Sequence, residues 1–254
     1  MRLNSLLLGL LVVALSAPSH AQSALDVIDQ GRTALQQGVD ASDPGALRRA
    51  RATFLRVTGD RQYGFLAHYY VALAASRLAN LSEDDAITHV DDAIGHLETV
   101  VELRPNWAEG HALLASVYGR KAGLRPMAGM VLGPRTSAAM ARAQELAPNN
   151  PRVVFLDASS KYFRPRMWGG SKSEGLEGFR RAAALFARAP RPARDEPSWG
   201  HDEALTWLGI ALAREGSLAD ARQALGQALR VNPNNTWVRD QLVPQVEARI
   251  AEAR

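Results

Sequence analysis

The chain of 254 residues contains no cysteine. It therefore has no disulfide, no thiol nucleophile and no cysteine to which a lipid could be attached. The sequence also lacks the G-x-S-x-G turn of serine hydrolases and the H-E-x-x-H helix of zinc proteases. Because the usual catalytic motifs are missing, we expect no enzymatic activity, no cofactor and no bound metal.

Long hydrophobic runs are also scarce. One apolar stretch, residues 6–17, follows the basic start Met1-Arg2 and precedes small residues at Ser19 and Ala21. This order is typical of a secretory signal peptide, which predicts that residues 1–21 are removed. A membrane-spanning helix needs about 20 apolar residues, so we expect none in residues 22–254. The sequence thus predicts a periplasmic or secreted protein.

The charge balance argues against a nucleic-acid partner. Net charge is only +4 at pH 7, too small for a general phosphate-binding surface, and export would separate the chain from nucleic acid. Strand and hairpin signals are few, whereas alanine, leucine and arginine are abundant. This composition predicts an all-α fold.

What the sequence does contain is a regular helical pair between Asp202 and Asn235. Glu215-Gly216-Ser217 separates two apolar patterns of similar length, and Pro233 ends the second. Large and small residues alternate at fixed spacing along the pair: Leu205, Leu208, Gly209, Leu212, Ala221, Leu225 and Ala228. The small residues would let the helices approach closely while the leucines fill the space between them. In these residues the chain resembles the tetratricopeptide repeat (TPR) family, whose unit has about 34 residues.

The resemblance implies a right-handed α-solenoid of four to five antiparallel helix pairs in a single domain, 22–254. We assign the pairs to residues 24–58, 67–105, 106–148, 149–190 and 199–235, followed by a capping helix, 236–254, which should be broken or kinked at Pro244. TPR solenoids usually hold a peptide or a partner helix in a concave groove lined by their first helices. More narrowly, residues 108–190 resemble a group of exported bacterial TPR proteins without assigned function.

Three units are longer than a plain repeat between their two helices. The excess is about seven residues in the second unit, nine in the third and five in the fourth. In the second unit we expect a longer second helix that starts at Ser82. The third insertion, Gly119–Arg135, is rich in glycine and proline and should be largely loop, and the fourth lies in Phe163–Ser173. Since equivalent points of successive repeats share one edge of a solenoid, the insertions should form one surface.

The two clearer insertions are basic and also carry methionine or tryptophan. We predict a partner-binding site at Arg120, Lys121, Arg125, Met127, Met130, Arg135, Arg164, Arg166, Trp168 and Lys172. Arginines beside adaptable apolar side chains suit an anionic, partly apolar partner. The alternative interpretation is structural, because arginines also cap helix ends and methionines also fill gaps between repeats.

Two other patterns favour structural roles. Gly169-Gly170-Ser171-Lys172 precedes a helix and could hold a phosphate, but it lacks the spacing of a phosphate loop and follows no strand. An N-cap at Ser171 or Ser173 is the better interpretation. His89, Asp92 and His96 share one helix face, yet three such ligands with no fourth nearby favour a solvated surface over a metal site.

The remaining aromatic residues are expected to pack between repeats. This group contains Trp107, Trp199, Trp207, Trp237 and the ring of His111. The predicted function is a non-enzymatic periplasmic adaptor that binds a protein or peptide through its concave groove and basic edge. The alternative is a binder of a small anionic or lipid-like ligand that serves a transport or envelope system.

Overall fold

A computed structural model describes residues 20–253, with side chains from Ala24 onward. These residues form eleven α-helices and no strand. The helices are α1 (His20–Asp40), α2 (Pro44–Leu55), α3 (Gly64–Leu81), α4 (Ala86–Leu103), α5 (Ala108–Leu124), α6 (Gly129–Leu146), α7 (Pro151–Phe163), α8 (Lys172–Arg188), α9 (His201–Arg214), α10 (Leu218–Val231) and α11 (Val243–Glu252). The predicted all-α solenoid is confirmed. None of the described helices is both long and apolar enough to cross a bilayer.

The helices pack as five consecutive pairs, α1–α2 to α9–α10, and α11 follows the last pair. Their buried side chains form one continuous core from Ile28 to Val246. The predicted signal peptide lies outside the described residues except for its last two, residues 20 and 21, which belong to the start of α1.

The last pair has the close helix approach that its small residues predict. A Cβ added to Gly209 on α9 would lie 2.7 Å from Leu225 Cγ and 3.3 Å from the Ala221 carbonyl oxygen. Between the helices, Gly216 adopts φ +86°, a left-handed conformation that glycine reaches without strain. Gly209 is therefore required by the close packing of the two helices, and Gly216 is required by the turn between them.

The prediction of a loop over residues 119–135 is wrong. Helix α5 continues to Leu124, a 3-10 turn covers Pro126–Ala128, and α6 begins at Gly129 and includes Pro134. Four buried residues recur at helical spacing along α6, namely Leu132, Thr136, Met140 and Ala143. Burial of this stripe against α5 outweighs the single backbone hydrogen bond that Pro134 removes.

The predicted start of a helix at Ser82 is also wrong. Helix α4 begins at Ala86, where its buried stripe begins, whereas Glu83 and Asp84 are exposed. The Ser82 hydroxyl still accepts a hydrogen bond of 3.4 Å from the Asp85 N–H, as the hydroxyl of a capping serine does. The extra length is shared, because α3 and α4 have 18 residues each and α9 and α10 have 14 each.

The helix is not broken at Pro244, and it widens just before that residue. Residues Val238–Leu242 form a π-helical segment in which the Val243 N–H donates to the Val238 carbonyl. Pro244 has no N–H with which to continue the ordinary pattern, so the change in hydrogen bonding lies next to it. Helix α11 then covers the last pair with its buried Val246.

We predict opposite effects for alanine at two helical glycines. Gly209→Ala should lower the free energy of unfolding by about 1–3 kcal/mol, because the methyl group overlaps Leu225. Gly95→Ala on α4 should raise it by about 0.5–1 kcal/mol, because nothing lies within 4 Å of an added Cβ. Urea denaturation followed by circular dichroism measures both. Equal effects of the two substitutions would contradict the close approach of α9 and α10.

Candidate functional site

Residues 189–200, which we call the strap, connect α8 to α9 without regular secondary structure and cross the face formed by the first helices. On α1, Arg32 donates to the Glu196 carbonyl at 2.8 Å. Arg194 of the strap pairs with two carboxylates of α1, those of Asp26 and Asp29. On α3, the Tyr70 hydroxyl accepts a hydrogen bond of 3.0 Å from the Ser198 N–H. The strap therefore lies along the inside of the solenoid.

Trp199 is the largest buried side chain of the strap, and side chains from two units hold it. Its indole Nε1–H donates to the Tyr69 hydroxyl at 3.0 Å, and its carbonyl accepts from Arg152 Nε at 2.8 Å. Its ring packs against Phe155, and the Arg77 guanidinium lies 5.2 Å from the ring centroid. Helices α3 and α7 are thus joined through one strap residue.

Arg152 also belongs to a buried ion pair with Glu109 on α5. The two side chains are 10% and 7% exposed, with Nη1 and Oε1 3.2 Å apart. Asn150 donates to the same carboxylate oxygen at 2.8 Å, whereas Glu109 Oε2 is buried with no hydrogen-bond partner among the described residues. Burial raises the pKa of Glu109, and Arg152 partly opposes that rise. The pair fixes Arg152 beneath Trp199.

The fifth unit contacts the first and second units directly. The Arg77 guanidinium of α3 bonds both carboxylate oxygens of Glu203 on α9, at 2.7 and 2.6 Å. The Asn232 side chain donates to Asp40 at the end of α1, at 2.7 Å. Together with the strap, these contacts correct the expectation of an open groove, because the chain itself covers much of the face that the first helices form.

One surface cavity lies beside the strap and another lies near α11. A narrow cleft of about 120 Å³ lies beside the strap between α3, α5 and α7, and its lining includes Arg77, Arg120 and Trp199. A wider depression of about 500 Å³ lies beside the turn at Gly216, between that turn and Ile250 of α11. The cleft lies beside the strap at Trp199.

The third and fourth insertions lie side by side. Trp168 Cζ3 would be 3.6 Å from a Cβ added to Gly129, so the ring lies against the start of α6. Trp168 and four large apolar side chains near it in the two insertions are between 51% and 87% exposed, and we call these five the edge patch: Met127, Met130, Val131, Met167 and Trp168. Among the described residues, neither Arg125 nor Arg166 beside the patch forms an ion pair.

The double glycine after Trp168 explains how the patch is presented. Gly169 adopts φ +83°, and a Cβ on Gly170 would overlap the Arg164 carbonyl oxygen. The segment folds back so that the Ser171 N–H donates to the Lys161 carbonyl at 2.9 Å. Ser171 then caps α8 by accepting from the Glu174 N–H, which confirms the N-cap interpretation. The turn leaves Met167 and Trp168 exposed.

The ten predicted site residues fall into three groups. Four have partners inside the protein: Lys121 pairs with Asp91, Arg164 bonds Ser160, Lys172 lies over the Tyr162 ring, and Arg135 lies near Tyr118. Burial and Glu98 raise the pKa of Tyr118 to about 12, and Arg135 opposes them. Five belong to the edge patch or border it, namely Arg125, Met127, Met130, Arg166 and Trp168. Arg120 alone lines the cleft.

His68 and His96 form a pair that the sequence pattern did not predict. His68 Nδ1 and His96 Nδ1 are 2.7 Å apart, between α3 and α4. Burial lowers the pKa of both rings, and His96 lowers that of His68 further. Asp92, which shares a helix face with His96, is bound through both of its carboxylate oxygens by Arg51. No cluster of three metal-ligating side chains occurs within residues 24–253.

Two expectations about aromatic rings have different outcomes. The expected packing of His111 in the core is wrong, because the ring is half-buried and bonds the Pro105 carbonyl at 2.8 Å. Trp107 packs on Phe65 and Tyr69, at the junction of the second and third units, as expected for a residue between repeats.

Comparisons with known proteins identify the fold. No protein-family model matches the sequence, and no curated protein matches it. The HusA haemophore from Porphyromonas gingivalis superposes with a TM-score of 0.59 at 22% identity, over 78% of this chain and 96% of that one. TTC0263, a thermophilic TPR protein in Thermus thermophilus, superposes with a TM-score of 0.57 at 18% identity, over 86% and 99%. This chain has a TPR fold. At these identities the likeness concerns the fold alone.

We predict that Trp199→Ala releases the strap of this TPR solenoid. The free energy of unfolding should fall by about 3–5 kcal/mol, the usual cost of truncating a buried tryptophan. Trypsin should also cleave faster after Arg194, which is exposed in the strap. Urea denaturation and timed proteolysis measure the two effects.

The matched control is Trp168→Ala, which truncates a half-exposed tryptophan outside the strap. It should leave cleavage in the strap unchanged and cost much less stability. If Trp199→Ala behaved like this control, the strap would not depend on Trp199.

Proposed function

We propose that the protein is a non-enzymatic scaffold of the bacterial envelope that binds a protein partner at the edge patch. One observation carries the proposal: five large apolar side chains are at least half exposed in two consecutive units, whose insertions meet where Trp168 lies against Gly129. Contiguous exposed apolar surface of this kind typically marks an interaction site. The inner face is a weaker candidate because the strap covers much of it.

The chemistry of the patch indicates the chemistry of the partner. Methionine side chains are flexible and polarizable, so they adapt to different apolar shapes. Arg125 and Arg166 beside them are available to pair with carboxylates. The partner we propose is therefore a protein segment whose apolar residues are flanked by aspartate or glutamate.

A second candidate function is the binding of a small anionic or lipid-like ligand for a transport or envelope system. It is favoured by the cations at the edge and by the similar fold of HusA, which is a haemophore. A small ligand normally needs a concave site, however, whereas the five exposed side chains of the edge patch offer apolar surface that a protein partner can cover. We therefore rank a protein partner first.

Peptide selection on the purified protein tests the edge patch. We expect the selected peptides to combine apolar residues with Asp or Glu, and Met130→Ala with Trp168→Ala to weaken their binding at least about tenfold, as at interface hot spots. Arg125→Glu with Arg166→Glu should shift selection towards basic peptides.

The control for this experiment is Leu103→Ala, which truncates a side chain of similar exposure on α4, away from the patch. It should leave the peptide affinity unchanged. Peptides whose binding resists the paired substitution, or is lost equally in the control, would contradict a site at the edge patch.

The proposed envelope location rests on the signal-like residues 1–21. Expression of the full chain in an exporting bacterium should yield a periplasmic protein whose first residue is Gln22, by intact mass and cell fractionation. A cytoplasmic protein that retains residues 1–21 would contradict the location without affecting the proposed partner site.

A further inference from the structure

The cleft beside the strap has a lining that is cationic at one end. Arg120 reaches it from α5, Asn80 and Arg77 from α3, and Ser116 from α5. None of the described residues that line it is aspartate or glutamate. A site with this lining attracts anions and offers no carboxylate to repel them.

Some of these polar groups are already engaged, and others are free. Arg77 binds Glu203 through both of its carboxylate oxygens, which neutralises its charge. Within the described part of the chain, the side chains of Arg120, Asn80 and Ser116 form no hydrogen bond or ion pair. A guanidinium, an amide and a hydroxyl are therefore available as donors, and the net charge they bring is that of one arginine.

The rest of the lining is apolar and the space is small. Leu113, Val117 and Leu156 form one wall, and the ring of Trp199 closes another. The cleft has a volume of about 120 Å³, which suits a small molecule. Trp199 of the strap lies in the path of an extended peptide along the inner face, so the cleft suits a small free molecule better than a peptide.

We propose that this cleft binds a short-chain monocarboxylate. The carboxylate accepts hydrogen bonds from Arg120, Asn80 and Ser116, and its short alkyl chain lies against Leu113 and Trp199. A single negative charge matches the one unpaired arginine, and the alkyl chain matches the apolar wall. Inorganic phosphate would leave that wall without a contact. This site is independent of the edge patch, so either proposal can fail without the other.

Calorimetric titration of the purified protein with butyrate tests the proposal. We expect saturable binding with a dissociation constant of about 1 mM or below, which suits a ligand of so few atoms. Butanamide has the same shape without the charge, and inorganic phosphate has the charge without the chain. Both should bind at least about tenfold more weakly, as expected when a charge-assisted hydrogen bond or an apolar contact is lost.

Two arginine variants locate the site. Arg120→Gln should weaken butyrate binding about tenfold to a hundredfold through loss of the charge-assisted hydrogen bond. Because Arg120 is exposed and has no ion pair among the described residues, thermal unfolding of this variant should match that of the parent protein. The control Arg48→Gln removes an exposed arginine of α2 outside the cleft and should leave butyrate affinity unchanged.

Three results would overturn the assignment. They are butyrate binding no tighter than butanamide, phosphate binding as tightly as butyrate, and butyrate binding that Arg120→Gln does not weaken.

Discussion

The inner face of this solenoid depends on how Trp199 is held. Its indole and carbonyl groups are bound by Tyr69 and Arg152, and Arg152 is itself fixed by the buried carboxylate of Glu109. An arginine in such a place is stable only with a partner, since an unpaired buried charge is costly. The ion pair between α5 and α7 therefore determines where the strap lies, and the strap determines which part of the inner face stays open.

The outer edge follows from a different constraint. Added residues in the third unit lengthen its two helices, because the stripe from Leu132 to Ala143 is buried against α5. In the fourth unit they form a turn that needs glycine at positions 169 and 170. The longer helices and the glycine turn each follow from packing within their own unit. The apolar side chains that this packing does not bury belong to the edge patch. The surface is thus a joint product of two neighbouring repeats.

Features that depend on residues close together in the sequence could be predicted. Gly209, Ala221 and Leu225 lie within one unit, so their spacing was enough to predict the helix pair, and Ser171 was recognisable as a cap. The glycine and proline content of residues 119–135 was misleading, because burial of Leu132 and Met140 overrides local preference. The strap contacts could not be predicted, since Tyr69 and Trp199 are 130 residues apart and no periodicity relates them. The sequence predicts the patch in part: Met127, Met130 and Trp168 belong to the predicted site, whereas Val131 and Met167 do not.

The contacts of Asn232 with Asp40, and of Glu203 with Arg77, have a consequence for folding. An open repeat array is nearly one-dimensional, so its end units can unfold before the middle. Here the hydrogen bonds span 192 and 126 residues of sequence, which raises the contact order and slows the search for the native state. The same contacts couple the first two units to the last, so a single denaturation transition, and not a stepwise one, is the expected signature of this array.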